Sequence, residues 1–153
     1  MLRALGAFAE EGLEYVLIGA AAMGVHGIVR ATEDLDVFVR GTPENVARLQ
    51  RALRKVYGSD PNIDQISAQD LLGEYPAIRY YPPSGDLYFD VMTRLGTAAS
   101  YETVEVEEKE IAGVRVRVAS PRALYLLKRD TVRAIDRQDA TALARAFKLD
   151  EAP

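Results

Sequence analysis

The chain opens with apolar residues at helical spacing. Leu2, Leu5, Phe8 and Ala9 share one side of a predicted helix over residues 2–11, and Gly12 follows as its C-terminal cap. The pattern then turns continuous. Glu14 to Gly19 carries an apolar run that predicts a short strand buried on both faces, and a small-residue helix from Ala20 to about His26 follows. From Asp34 to Val39 the pattern alternates: Asp34 and Asp36 fall on one face of a strand, and Leu35, Val37 and Val39 on the other. Thr42-Pro43-Glu44 supplies an N-cap, a proline at the first helical position and an acid in the first turn. Val46, Leu49, Leu53 and Val56 make the stripe of a helix to about Tyr57, ended by Gly58.

Periodicity lapses over Ser59–Gln65, a polar loop, and Ser67 then caps a short helix through Leu72. Alternation returns at Ala77–Tyr81 and at Asp86–Met92, with Pro82-Pro83-Ser84-Gly85 between them, and predicts a β-hairpin. In its second strand Asp86, Tyr88, Asp90 and Met92 share a face. A second hairpin, Thr103–Ile111 and Val114–Val118 around Ala112-Gly113, has one wet face and reads as a sheet edge, where charge deters pairing with other chains. Ser120-Pro121 opens the last helical region. There Leu124, Leu127, Thr131 and Ile135 form a stripe that also contains Lys128.

Helices and strands interleave, so the class is α+β (α/β). With 153 residues, 48% of them apolar, the chain can bury about two-thirds of its unfolded surface. This predicts one domain over residues 1–153, with C-terminal helices 121–148 packed on it. The absence of cysteine excludes disulfides and thiolate metal sites. Three glutamates precede the first apolar run, which is too short for a bilayer span, and a cytoplasmic protein without membrane contact is expected. A net charge of −4 argues against a general nucleic-acid coat. Charge is uneven, however: Tyr101–Glu110 holds five glutamates against one lysine, and Arg122–Lys148 holds seven Lys/Arg against three Asp. That basic stretch is either a solvated helix face or a surface for RNA or a triphosphate.

Asp34 and Asp36 at the start of an apolar strand carry a cost in repulsion and desolvation, which a divalent metal or a solvated rim must offset. Gly19, ahead of a helix N-terminus, allows a phosphate to approach the backbone. Arg30 either clamps a triphosphate bidentately or neutralises Glu33 and Asp34. His26, the one histidine, either meets a phosphate or acceptor group or is satisfied within the core. Lys128 either snorkels to water or points into a site.

The order Ile18-Gly19-Ala20, a gap from Ala21 to Glu33, then Asp34-Leu35-Asp36 resembles the nucleotidyltransferase fold shared with DNA polymerase beta. His26-Gly27 followed by Arg30, Thr32, Asp34 and Asp36 is most similar to its abortive-infection, toxin-like subgroup. The resemblance implies a mixed β-sheet flanked by helices. It also implies a third acid from a later, adjacent strand: Asp90, with Asp86 as the competitor that an ordinary turn aspartate would equally explain. It further implies Mg²⁺ or Mn²⁺ on Asp34, Asp36 and Asp90, with an NTP contacted around Gly19, Ala20, His26, Arg30, Thr32 and Lys128. Relatives commonly have Ser or Gly where this chain has Ala20, so phosphate contact there falls to backbone amides. Lys128 followed by Arg137-Gln138-Asp139 matches a helical lysine near the phosphates and a second helix, in which Asp139 is a helix cap or the partner of an arginine.

The expected reaction is metal-dependent transfer of a nucleoside monophosphate from an NTP to a hydroxyl. The acceptor is tRNA or other RNA by preference, or a protein or small molecule, and a cognate antitoxin is the expected partner. Two other readings stand beside it: a non-catalytic module of the same fold that binds a protein or nucleotide, and a solvated strand end in an unrelated α+β domain.

Overall fold

A computed structural model describes residues 1–74, 76–85, 87–129, 131 and 133–149. Its elements in order are α1 (Leu2–Glu11), β1 (Tyr15–Ile18), α2 (Gly19–Val25), β2 (Asp34–Val39), α3 (Pro43–Tyr57), α4 (Ala68–Leu71), β3 (Ala77–Tyr80), β4 (Tyr88–Met92), β5 (Arg94–Leu95), β6 (Ala99–Ser100), β7 (Val106–Ile111), β8 (Val114–Ala119), α5 (Pro121–Lys128) and α6 (Ala134–Phe147). Local sequence chemistry sets the helix ends. Thr42, Ser67 and Ser120 each accept a hydrogen bond from the backbone N–H three residues on, and prolines occupy the first turns of α3 and α5.

Six strands form one mixed sheet in the order β3-β4-β2-β1-β8-β7. β1 runs antiparallel to β2, whereas β2 pairs with β4, and β1 with β8, in parallel. Both expected hairpins are present as antiparallel pairs, β3/β4 and β7/β8, and each supplies an edge of the sheet. The small β5/β6 ladder is additional, since two-residue strands leave no periodicity to read.

The two faces of the sheet are used differently. Leu35 lies opposite Phe89 and Val37 opposite Val91 in the β2/β4 register, and all four are fully buried. Phe89 packs against Phe8 of α1 and Tyr57 of α3, so those helices cover this face, and ion pairs of Lys55 with Glu10 and Glu11 tie them together. The opposite face carries Asp34, Asp36 and Asp90, and α5 comes over it with Leu124, Leu127 and Lys128. The last helical region is broken. α5 ends at Lys128 and α6 starts at Ala134, so the expected single stripe does not continue, and Ile135 is exposed. No described helix is long and apolar enough to cross a membrane.

Candidate active site

Asp34 and Asp36 project from the same face of β2, and Asp36 stands directly opposite Asp90 across the parallel β2/β4 ladder. One carboxylate oxygen from each of the three lies within 4.8 Å of the others. Asp86, the alternative third acid, lies outside the described residues. Thr32 Oγ1 donates to the main-chain and side-chain oxygens of Asp34, at 2.8 and 2.9 Å, which orients that carboxylate.

Asp36 neighbours both of the other acids. Its Oδ1 is buried with no hydrogen-bond partner. Burial first, then the charges of Asp34 and Asp90, push its carboxyl group up to about 8. Gly19 explains how so crowded a carboxylate is accommodated. Its φ is +74°, and a Cβ built there would sit 2.4 Å from Asp36 Oδ2. The glycine therefore leaves room for the Asp36 carboxylate next to the opening of the cleft, a role distinct from close phosphate approach. An oxygen-only donor set, an orphaned buried carboxylate oxygen and a raised carboxyl pKa fit a hard divalent cation such as Mg²⁺ or Mn²⁺.

Asp90 has a partner that the sequence reading did not single out. Arg79, opposite it on the edge strand β3, grips both oxygens, with Nε–Oδ1 at 2.7 Å and a second nitrogen 3.2 Å from Oδ2. The same guanidinium lies over the Tyr88 ring at 4.9 Å, and Tyr81 packs against Tyr88 with centroids 5.3 Å apart. The available signal was an arginine in a strand predicted to pair with the Asp90 strand. Only the hairpin register makes them neighbours.

The carboxylates line a cleft of about 450 Å³ whose far wall is Leu124, Leu127 and Lys128 of α5, followed by Thr131, Arg133 and Asp136. Lys128 is 9% exposed; its Nζ donates to Asp139 Oδ2 at 2.8 Å and lies 3.5 Å from Asp136 Oδ1. Arg30 Nε lies 3.0 Å from the other oxygen of Asp139. Asp139 is thus an arginine's partner, but it sits within α6 and caps nothing.

Among the residues expected around an NTP, Gly19 and Lys128 line this cleft, and Thr32 supports Asp34 from behind. Arg30 is turned to Asp139, neither onto Asp34 nor into the cleft. The Ala20 side chain is buried. His26 stands elsewhere: its Nε2 donates to the Ala119 carbonyl at 2.8 Å and its ring packs edge-on to Phe147. It joins the ends of α2, β8 and α6, the core alternative, with Nε2 satisfied and Nδ1 buried without a partner. Besides Arg79, the cleft residues Tyr88, Thr131 and Arg133 were not anticipated. Tyr88 shares the strand face of Asp90 and Thr131 the stripe of Lys128, so their neighbourhood was legible, whereas the position of Arg133 was not.

The fold is that of a nucleotidyltransferase. The chain is similar to the crystal structure of an antigenic nucleotidyltransferase-like protein from Paracoccidioides brasiliensis, with 18% identity, a TM-score of 0.57, and 95% of this chain and 76% of that one covered. It is also similar to the solution structure of the antibiotic-resistance factor ANT(2'')-Ia, with 18% identity, a TM-score of 0.53, and 98% and 90% covered. At these identities the likeness establishes the fold. A family model described as the nucleotidyl transferase AbiEii toxin of type IV toxin–antitoxin systems matches residues 2–145, and the chain belongs to that family. No curated protein matches the chain in sequence. Family membership sets the protein among enzymes of nucleotidyl transfer, in place of an unrelated α+β domain, and points to a nucleotide substrate and an antitoxin counterpart.

Proposed function

We propose that this protein transfers a nucleoside monophosphate from an NTP to a hydroxyl of RNA, tRNA by preference, in the cytoplasm. The observation that carries the reading is the convergence of Asp34, Asp36 and Asp90 from two paired strands, facing Lys128 across one cleft. These three carboxylates would hold Mg²⁺ or Mn²⁺, which supplies charge neutralisation and acidifies a hydroxyl when bound. The acceptor hydroxyl gives up its proton to solvent and its oxygen bonds to the α-phosphorus, as the bond from that phosphorus to the bridging oxygen of the β-phosphate breaks and pyrophosphate leaves.

The chain's own groups position and neutralise. Arg133 and Lys128 place positive charge on the wall opposite the carboxylates, where a triphosphate would lie. The uncovered backbone of Gly19 opens on the same space. Ile18, Met92, Leu124 and Leu127 add apolar surface to a cleft whose other lining is mostly charged or polar. RNA is favoured over a protein hydroxyl by the partly exposed Tyr81, Tyr88 and Arg79 beside Asp90, a flat surface on which an unpaired base can stack. The antitoxin would be the physiological partner.

The test is transfer of label from each α-³²P NTP, with Mg²⁺, into cell extract. Wild-type protein should label material that ribonuclease removes, and Asp34→Ala/Asp36→Ala should label nothing. Protease-sensitive label would move the acceptor to protein. No label with any nucleotide would refute the proposal.

A further inference from the structure

We propose that Arg79 is a placeholder cation: it holds Asp90 while the carboxylate cluster is free of metal, and yields it when a divalent cation enters. The inference rests on the reading of Asp34, Asp36 and Asp90 as a cation site, and it adds a competitor for that site built into the chain.

Three observations carry it. The charge of the cluster is lopsided: among the described residues Arg79 is the one cation in ion-pair contact with any of the three acids. On the opposite wall Lys128 is committed to Asp139 and Asp136, and Arg133 to Asp136. The Arg79–Asp90 pair engages both carboxylate oxygens, so a cation approaching Asp90 meets a guanidinium on the same atoms. Finally, Arg79 is free to leave without disturbing the core. It sits on an edge strand, its side chain is half exposed, and its other contacts are the Tyr88 ring and the Tyr81 hydroxyl, at 3.4 Å from a guanidinium nitrogen. A swing across the face of Tyr88 keeps the cation–π contact while releasing Asp90.

A residue that merely supports the site would weaken metal binding when removed. A placeholder does the reverse. Arg79→Gln is therefore expected to bind Mn²⁺ about three- to fivefold more tightly, the factor suited to loss of a solvent-accessible ion pair. Free Mn²⁺ measured by electron paramagnetic resonance reads this without turnover. Metal-free Arg79→Gln should also melt lower than wild type and gain more from Mn²⁺, because the cluster has lost its one neutralising charge. Arg79→Lys, which keeps the charge but not the two-point grip, should fall between them and serves if the glutamine variant does not fold. In an Asp90→Asn background, Arg79→Gln should change nothing. Equal or weaker Mn²⁺ binding by Arg79→Gln overturns the placeholder and leaves the proposed function standing. Absence of Mn²⁺ binding by wild type and variant alike overturns both.

Discussion

On the helical wall of the cleft, Lys128 and Arg30 meet Asp139 and Asp136 within 3.5 Å, and each acid has a basic partner. On the sheet floor, three carboxylates converge with one guanidinium, and Asp36 keeps an oxygen with no partner. The residue types are nearly the same, and the wall is the deeper of the two: Asp139 and Lys128 are buried, whereas Asp34, Asp36 and Asp90 are part-buried. The difference is pairing. A cluster in which every acid is paired locks α5 and α6 to the loop after α2, and Arg133 beside Asp136 leaves it a surplus of positive charge. A cluster with uncompensated negative charge raises a carboxyl pKa and calls for a cation from outside. Buried charge by itself therefore does not mark a site in this protein, whereas buried charge without a partner does.

The comparison is broken most severely from the paired side. Asp139→Asn leaves Arg30 without its acid and Lys128 with Asp136 alone, and should cost about 3 kcal/mol in urea unfolding. A loss well under 1 kcal/mol would mean that the wall is no better paired than the floor. Gly19→Ala acts next. It adds a Cβ at a left-handed φ and against the Asp36 carboxylate, so a loss of about 2 kcal/mol is expected, together with weaker Mn²⁺ binding as Asp36 is displaced. Unchanged metal affinity would separate the glycine from the site.

Asp36→Asn sharpens the contrast by having the opposite sign. It should stabilise the metal-free protein by roughly 0.5–2 kcal/mol at neutral pH while removing nucleotidyl transfer. The pH dependence follows the same sign. Asp36 has its pKa raised from 3.8 to about 8, so it binds its proton more tightly folded than unfolded. The stability this confers is complete below 3.8 and is lost as the pH climbs through about 8. Melting temperatures of metal-free wild type should decline over that window more than those of Asp36→Asn. Parallel curves would show that Asp36 carries no repulsion.

Legibility differed by element. Helix caps at Thr42, Ser67 and Ser120 and the alternation of β2 were readable because they depend on residues within a few positions of one another. The acid pair Asp34 and Asp36 was readable for the same reason, and Asp90 because a carboxylate inside an alternating strand lacks a local excuse. His26 and Arg30 show the limit. Both lie within the family motif, yet the Ala119 carbonyl and Asp139, residues distant in sequence, claim their side chains. Arg79 is the converse, outside the family motif yet in contact with the site.

From its sequence alone this chain determined the strand–turn–helix–strand unit of β1, α2 and β2, the shared face of Asp34 and Asp36, and the glycine that precedes them, because periodicity, capping and backbone sterics act over a few residues. Tertiary structure decided which charges are partnered. The parallel register of β2 on β4 sets Asp36 against Asp90, the β3/β4 hairpin delivers Arg79, and the break between α5 and α6 brings Asp139 back to Lys128. Pairing of charge depends on distances across the fold that no local pattern encodes, and it is this pairing that separates the wall from the floor.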